Sequence, residues 1–326
     1  MKINYLSIIL LLCIGFMGSL LHYQIKTTIY VDNREFVEED PILSQTYVDH
    51  PPIEILNDGA FLGYSFPGNG SSNNPYIIEG YNITSTGFSA IRISSTNSYF
   101  IIRDCRINSE FLGIALDYVG PGTSKIFRNI IKSTTNDGGG ITLRHLSNST
   151  IEQNICYNFG QGIHVDEVNG CTIHNNIIRD ASYQGINIRY SDSNLITNNH
   201  IINSKQHGIA IVGSSANNVI HHNKLEGNSW HNSYDIDGGP PQGPPTSQGY
   251  DEGSNNIWYN SESQEGNYWS DYFGIGSYFI DGSANAIDLF PYHTTGITPF
   301  VLIIILIPSS VVVSAFILLF LRKKRR

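Results

Sequence analysis

Six residues in the middle of the chain are of types that carry acid–base and anion chemistry: Asp117, Arg144, His164, Asp166, Asn187 and Arg189. Their spacing is regular, with 22 residues from Arg144 to Asp166 and 23 from both Asp166 to Arg189 and His164 to Asn187. Asp166 or His164 could serve as a general acid or base. Arg144 and Arg189 could grip the carboxylate or sulfate of an acidic sugar through two parallel hydrogen bonds. The competing reading is an alternating Asp–Arg ladder that only neutralises charge between neighbours, each pair contributing roughly 0.2–1 kcal/mol.

A spacing of this kind needs a repeating scaffold to bring the six together. Short segments of one pattern begin at Ala90 (AIRIS), Gly113 (GIALD), Gly140 (GITLR), Gly162 (GIHVD), Gly185 (GINIR) and Gly208 (GIAIV). The one long interval contains the inserted turn Thr134-Thr135-Asn136-Asp137-Gly138-Gly139. About ten residues after each segment comes a second that ends in Asn: Asn129, Asn154, Asn176, Asn199 and Asn223, with a further unit at Asn256–Asn260. Alternation such as Ile163-x-Val165 has period two, so one face of each strand is buried and the other is wet. Short strands of this sort bury their apolar face only by stacking copies in parallel and in register. These observations predict an all-β chain, a right-handed parallel β-helix over residues 51–292 with rungs of about 22–23 residues. Leucine-rich repeats would show a Leu consensus with helical or turn returns, and propeller blades would be about 40 residues long. The repeated Asn is expected at a bend with left-handed φ, and the Gly residues at the opposite bends.

In that register the outward columns read Ser94, Asp117, Arg144, Asp166, Arg189, Val212 and, beside it, Arg92, Ala115, Thr142, His164, Asn187, Ala210. The candidate ligand-binding residues are accordingly Arg144, Arg189, Asn187 and Asp117, with Asp166 and His164 as catalytic candidates. An excursion at 228–253, rich in Pro and Gly, adds Trp230 and Tyr234 as binding candidates. Its Asp235-Ile236-Asp237-Gly238 makes Asp235 and Asp237 candidates for Ca²⁺, although the other ligands of a calcium loop are missing. His174 and His221 share a column two rungs apart, too far to share a metal. His221 and His222 should point to opposite faces of a regular strand.

The flanks speak to location. Residues 1–24 hold an apolar run after Lys2 and read as a signal peptide or signal anchor, followed by a linker at 25–50. Residues 300–321 form a 22-residue uncharged apolar stretch, long enough to cross a bilayer core of about 30 Å. It follows a 293–299 linker and precedes the basic run 322–326, which belongs on the cytoplasmic side. The β-helix would then be extracytoplasmic and anchored to the cell membrane in one pass, or in two if the N-terminal segment is retained. All 28 acidic residues lie between the flanks, where only 13 basic residues remain, so a nucleic-acid role is excluded on charge. Cys105, Cys156 and Cys171 read as buried thiols in the repeats. Asn69, Asn82 and Asn148 begin N-x-S/T sequons, compatible with glycosylation.

The rungs, together with FPGNGSSNNPYIIEGYNI (Phe66–Ile83), EGNYWSDYFG (Glu265–Gly274) and YFIDGSANAIDLFP (Tyr278–Pro291), resemble the NosD-type, or carbohydrate-binding and sugar-hydrolysis, right-handed β-helix repeat proteins, whose anchored members are common on archaeal surfaces. The resemblance covers roughly residues 50–292, with a cap at 265–292. It implies a surface β-helix that binds glycans or acts structurally in the envelope, or else a polysaccharide hydrolase or lyase. A third implication is a copper-insertion accessory. This chain departs from that branch, because its two Met residues both lie in the N-terminal segment. Polygalacturonase-like hydrolases carry paired aspartates, Gly-His-Gly and Arg-x-Lys, whereas this chain has only Gln206-His207-Gly208.

Overall fold

A computed structural model describes residues 46–229 and 247–292. The segments expected to be a leader, a membrane span and a basic tail lie outside the described residues, as do Trp230, Tyr234, Asp235 and Asp237. Among the described residues no helix is long and apolar enough to cross a membrane.

Strands recur three to a rung and stack into three parallel sheets of nine, eight and seven strands. One rung illustrates the unit: Gln161–Asn169 in the eight-stranded sheet, Thr172–His174 in the seven-stranded sheet and Ile177–Arg179 in the nine-stranded sheet. The solenoid starts with Val48–His50, inside the segment expected to be linker. Period-two alternation makes Ile53, Ile91, Ile114, Ile141, Ile163, Ile186 and Ile209 one buried column through the eight-stranded sheet. The β-branched side chains suit a pleated, half-buried surface and shed water one on another. Cys156 takes a place in the matching column of the nine-stranded sheet, between Ile131 and Ile178. Cys105, Cys156 and Cys171 are all free and buried.

Two details of the rung differ from expectation. The repeated Asn residues are buried and do not carry the left-handed bend, which falls on the residue before each: Arg128, Gln153, Asn175, Asn198 and His222, all with φ between 53° and 58°. The Asn side chain points inward, where its amide would otherwise cost free energy, and bonds the next rung. Asn154 Nδ2 donates to Asn176 Oδ1 at 3.0 Å, and the series runs on through Asn199 and Asn223 to Asn267. Nor do the repeated Gly residues mark bends. A Cβ on Gly162 would fall 2.3 Å from Ile178 Cγ2 and 2.7 Å from the Gly185 carbonyl oxygen, so the position is kept bare by the close approach of the next column.

Among the described residues, three such amide ladders end at the C-terminal side on a carboxylate. Asn267 Nδ2 donates to Asp288 at 3.2 Å, Asn256 Nδ2 to Asp251 at 3.0 Å, and Gln248 Nε2 to Asp271 at 2.7 Å. The donor ends of all three ladders point the same way, so an acceptor-only group is what that end requires. Asp251 and Asp288 also accept from the indole N–H groups of Trp258 and Trp269, both fully buried. At the other end, a short 3-10 helix, Asp58–Gly63, covers the first rungs with Phe61 stacked on Tyr76 at 4.4 Å. Asp58 Oδ1 accepts from the Asn97 and Ser98 amides and the Ser98 hydroxyl, and with Thr96 these bonds hold its carboxyl below the usual range.

Candidate functional site

The eight-stranded sheet carries all six central candidates on its outer face. Thr142, His164 and Asn187 are direct neighbours across three strands, as are Asp117, Arg144, Asp166 and Arg189 across four. Arg144, His164, Asp166 and Arg189 are half-buried, and Asn187 is buried. Among the described residues no ion pair joins Arg144 to Asp166, so the alternating ladder is broken there. Asp166 Oδ1 is shut off from solvent without a hydrogen-bond partner, and so are His164 Nδ1 and Asn187 Oδ1. Asp117 is engaged by His145, whose Nδ1 lies 2.8 Å from Asp117 Oδ1 while its Nε2 lies 3.6 Å from Glu167. An unmet buried polar atom costs roughly 1–3 kcal/mol. Three on one strip describe a surface lacking partners that a ligand, a water or an ion would provide.

Burial pushes the His164 imidazole down to about 4; Asp166 opposes the shift, while Arg144 and Arg189 add to it. His164 is therefore neutral near pH 7 and can accept a proton. Arg189 lies over the ring of Tyr190, 4.9 Å from its centre. On the side of the strip nearer the strand starts, Gln161 Nε2 donates to Gln184 Oε1 at 3.1 Å, and Gln184 in turn to Gln206.

Two aromatic borders frame this strip, and neither follows from the strand alternation. The residue after each outward position turns with left-handed φ: Ser95, Tyr118, His145, Glu167, Tyr190 and Gly213. Tyr118 and Tyr190 are exposed there, with Tyr118 stacked on His145 at 4.2 Å. Bulky side chains are disfavoured in this conformation, at about 1–3 kcal/mol each, and such residues cluster at functional sites. The opposite border, just before the strands, holds exposed Phe88, Phe111 and Tyr183, with the Phe88 and Phe111 rings 5.4 Å apart. Gly138 and Gly160 stand between Phe111 and Tyr183 in that border, at the starts of the strands that carry Arg144 and His164. The sequence signal for the tyrosines is their place one residue after Asp117 and Arg189.

The excursion after Asn228 starts and ends at this same sheet. The Ser229 amide donates to the Gln206 carbonyl at 2.8 Å, and Gly249–Asp251 rejoins the sheet beside Ile209–Val212. His207 is buried there, with Nε2 3.5 Å from Asp281 Oδ2 and its ring 5.1 Å from that of Tyr250.

The remaining candidates sit elsewhere. His174 and His221 are two rungs apart, and His174 lies 2.8 Å from Glu152. His221 and His222 do not diverge. The left-handed φ of His222 turns its ring to within 4.7 Å of His221, and its Nε2 lies 2.6 Å from Glu265. Asn69 and Asn148 are exposed, whereas Asn82 is half-buried in a strand and donates to Asp49 at 2.7 Å.

A family model described as a right handed beta helix region matches residues 112–243. The chain is thus a right-handed parallel β-helix. No curated protein matches it in sequence. Among solved structures it is similar to DFA-IIIase from Arthrobacter chlorophenolicus A6 in complex with GF2, at 17% identity and a TM-score of 0.42 over 56% of this chain and 54% of that one. It spans about half the length of that protein. An alginate lyase from Paenibacillus sp. str. FPU-7 matches at 15% identity and 0.42, over 67% and 80% of the two chains. Bacteriophage CBA120 tailspike protein 2 matches at 10% and 0.35, over 76% and 47%. At these values the likeness says nothing about the site.

Proposed function

We propose that this chain is a membrane-anchored β-helix of the cell surface that binds glycans on the outer face of its eight-stranded sheet. The observation that carries the reading is a polar strip with unmet hydrogen-bonding atoms between two borders of exposed aromatic rings. A sugar ring presents C–H bonds on its faces and hydroxyls at its rim. Tyr118, Tyr190 and Tyr183 offer apolar ring faces for the former. Asn187, His164 and Asp166 offer acceptors for the latter. Arg144 and Arg189 favour sugars bearing carboxylate or sulfate. The anchor rests on the apolar stretch 300–321 and the basic run after it.

A glycan array probed with the full chain in detergent tests this reading. Binding of acidic glycans is expected, with at least a tenfold loss in Arg144→Ala/Arg189→Ala and in Tyr118→Ala/Tyr190→Ala. Retention unchanged in both double variants overturns the assignment.

A second reading, a polysaccharide lyase or hydrolase, is favoured by one observation: His164 is neutral, with Asp166 two residues along the same face and an arginine on either side. New reducing ends or unsaturated uronate formed from an acidic polysaccharide, and lost in His164→Ala, would support it. A copper-accessory role gains nothing from the cysteines. Burial pushes their thiols up to about 12, 12 and 11, away from the thiolate that a soft metal takes.

A further inference from the structure

The C-terminal cap includes an uncharged stretch, Tyr272 to Ile280, with the sequence YFGIGSYFI. Part of it is core: Tyr278 is buried, stacked on Trp269 at 4.1 Å and bonded through its hydroxyl to Asp271. The rest faces outward, with Phe273 86%, Phe279 76% and Ile275 62% exposed. The loop is held in this form, since the Tyr272 hydroxyl donates to the Gly276 carbonyl at 2.5 Å. Gly274 and Gly276 take φ of 79° and 76° with open space around them. A single exposed apolar side chain needs no explanation. Three within seven residues, without a charge among them and on a strongly acidic domain, mark an interaction surface.

We infer that this edge of the cap dips into the interfacial layer of the bilayer that holds the chain's own apolar stretch. The inference rests on reading 300–321 as the anchor. Tyr292 is paired with Tyr268 at the last strand of the nine-stranded sheet, so the cap is the part of the domain nearest that stretch along the chain. Only residues 293–299 intervene, and seven residues extend at most about 25 Å. Tyr292, packed on Tyr268 within the cap, therefore stays within that reach of the lipid surface whatever the tilt of the solenoid. Aromatic and aliphatic side chains at the headgroup level gain by leaving water. The flanking carboxylates are hydrogen-bonded within the domain, Asp271 to Gln248 and Tyr278 and Asp281 to the Ser247 amide.

The test uses the full chain reconstituted in phosphatidylcholine vesicles, with a tryptophan placed by Phe273→Trp, by Phe279→Trp or, as a reference near the opposite end, by Phe88→Trp. Lipids with brominated acyl chains quench only tryptophans that touch them. More than half of the added fluorescence is expected to disappear in the two cap variants, and none in the reference. A chain that fails to float with the vesicles overturns both the anchor and the cap contact. A chain that floats, but whose cap tryptophans are quenched no more than the reference, overturns the cap contact alone. Unquenched but blue-shifted cap emission with a dimer in solution would also overturn it, in favour of a second copy of the chain.

Discussion

His164 ties the proposed site to a measurable pH dependence. Its pKa in the folded chain, about 4, lies below the ordinary 6.5, so the unfolded chain binds the proton more tightly. Its contribution to stability is fully present above pH 6.5 and is lost as pH falls toward 4. The loss is on the order of 2 kcal/mol by about pH 4.5. Urea denaturation of His164→Gln is expected to show a shallower fall in midpoint across that window than the parent chain. Burial also lowers His200 and His221, so the variant should flatten the profile only in part. Tyr190 offers the complementary test. Gly213 already occupies the equivalent left-handed position one rung on, so Tyr190→Gly relieves backbone strain while removing a ring face. Stability is expected to change by less than about 1 kcal/mol, with glycan retention falling at least tenfold on the same array.

At the scale of the strand and bend, adjacent residues of one type have different jobs. Asn175 is exposed with φ 56°, whereas Asn176 is buried and bonds Asn154, Asn199 and the Ile151 carbonyl. Asn176→Ala should lower stability by about 3 kcal/mol or more, because several buried groups lose their partners, while Asn175→Gly should stay within about 0.5 kcal/mol. Gly162→Ala should cost about 1–3 kcal/mol through its clash with Ile178. Thermal or urea midpoints check all three. The sequence showed the strands, their stacking and the outward columns because period-two alternation and the repeated Gly-Ile-x-Ile leave one register that buries both apolar positions of that motif. It did not show which Asn turns the chain, since Asn suits both a left-handed bend and a buried amide ladder. Nor did it show the aromatic borders. Phe88, Phe111, Tyr118, Tyr183 and Tyr190 sit at corners, where alternation stops and no periodic signal marks the facing.

Across the whole solenoid, stability is a sum over rungs and their contacts, and unfolding starts where that sum is weakest. Asp288 is a sensitive point, raised in pKa by burial and accepting from the Asn267 amide, the Asn267 side chain and the Trp269 indole. Asp288→Ala should speed hydrogen exchange first in Tyr268–Trp269 and Lys224–Glu226, and leave Gly139–Ser147 protected as before. Uniform acceleration through every rung would contradict a cap that acts locally. This wiring was not legible from sequence, because its partners come from separate segments and recur with no period.

The shared end of the three amide ladders also bears on how such a chain changes length over generations. With the last side-chain amide of each ladder bonded to Asp251, Asp271 or Asp288, a unit appended beyond the cap would have to displace a carboxylate to continue the ladders. Duplication inside the array meets no such barrier, for a copied unit of 22 or 23 residues carries its own Asn, its bare Gly and its Ile pair. Each copy would lengthen the outer face by one strand spacing, about 4.8 Å, and add one residue to each aromatic border. Descent can thus grade the span of the surface in even steps while inheriting both ends intact.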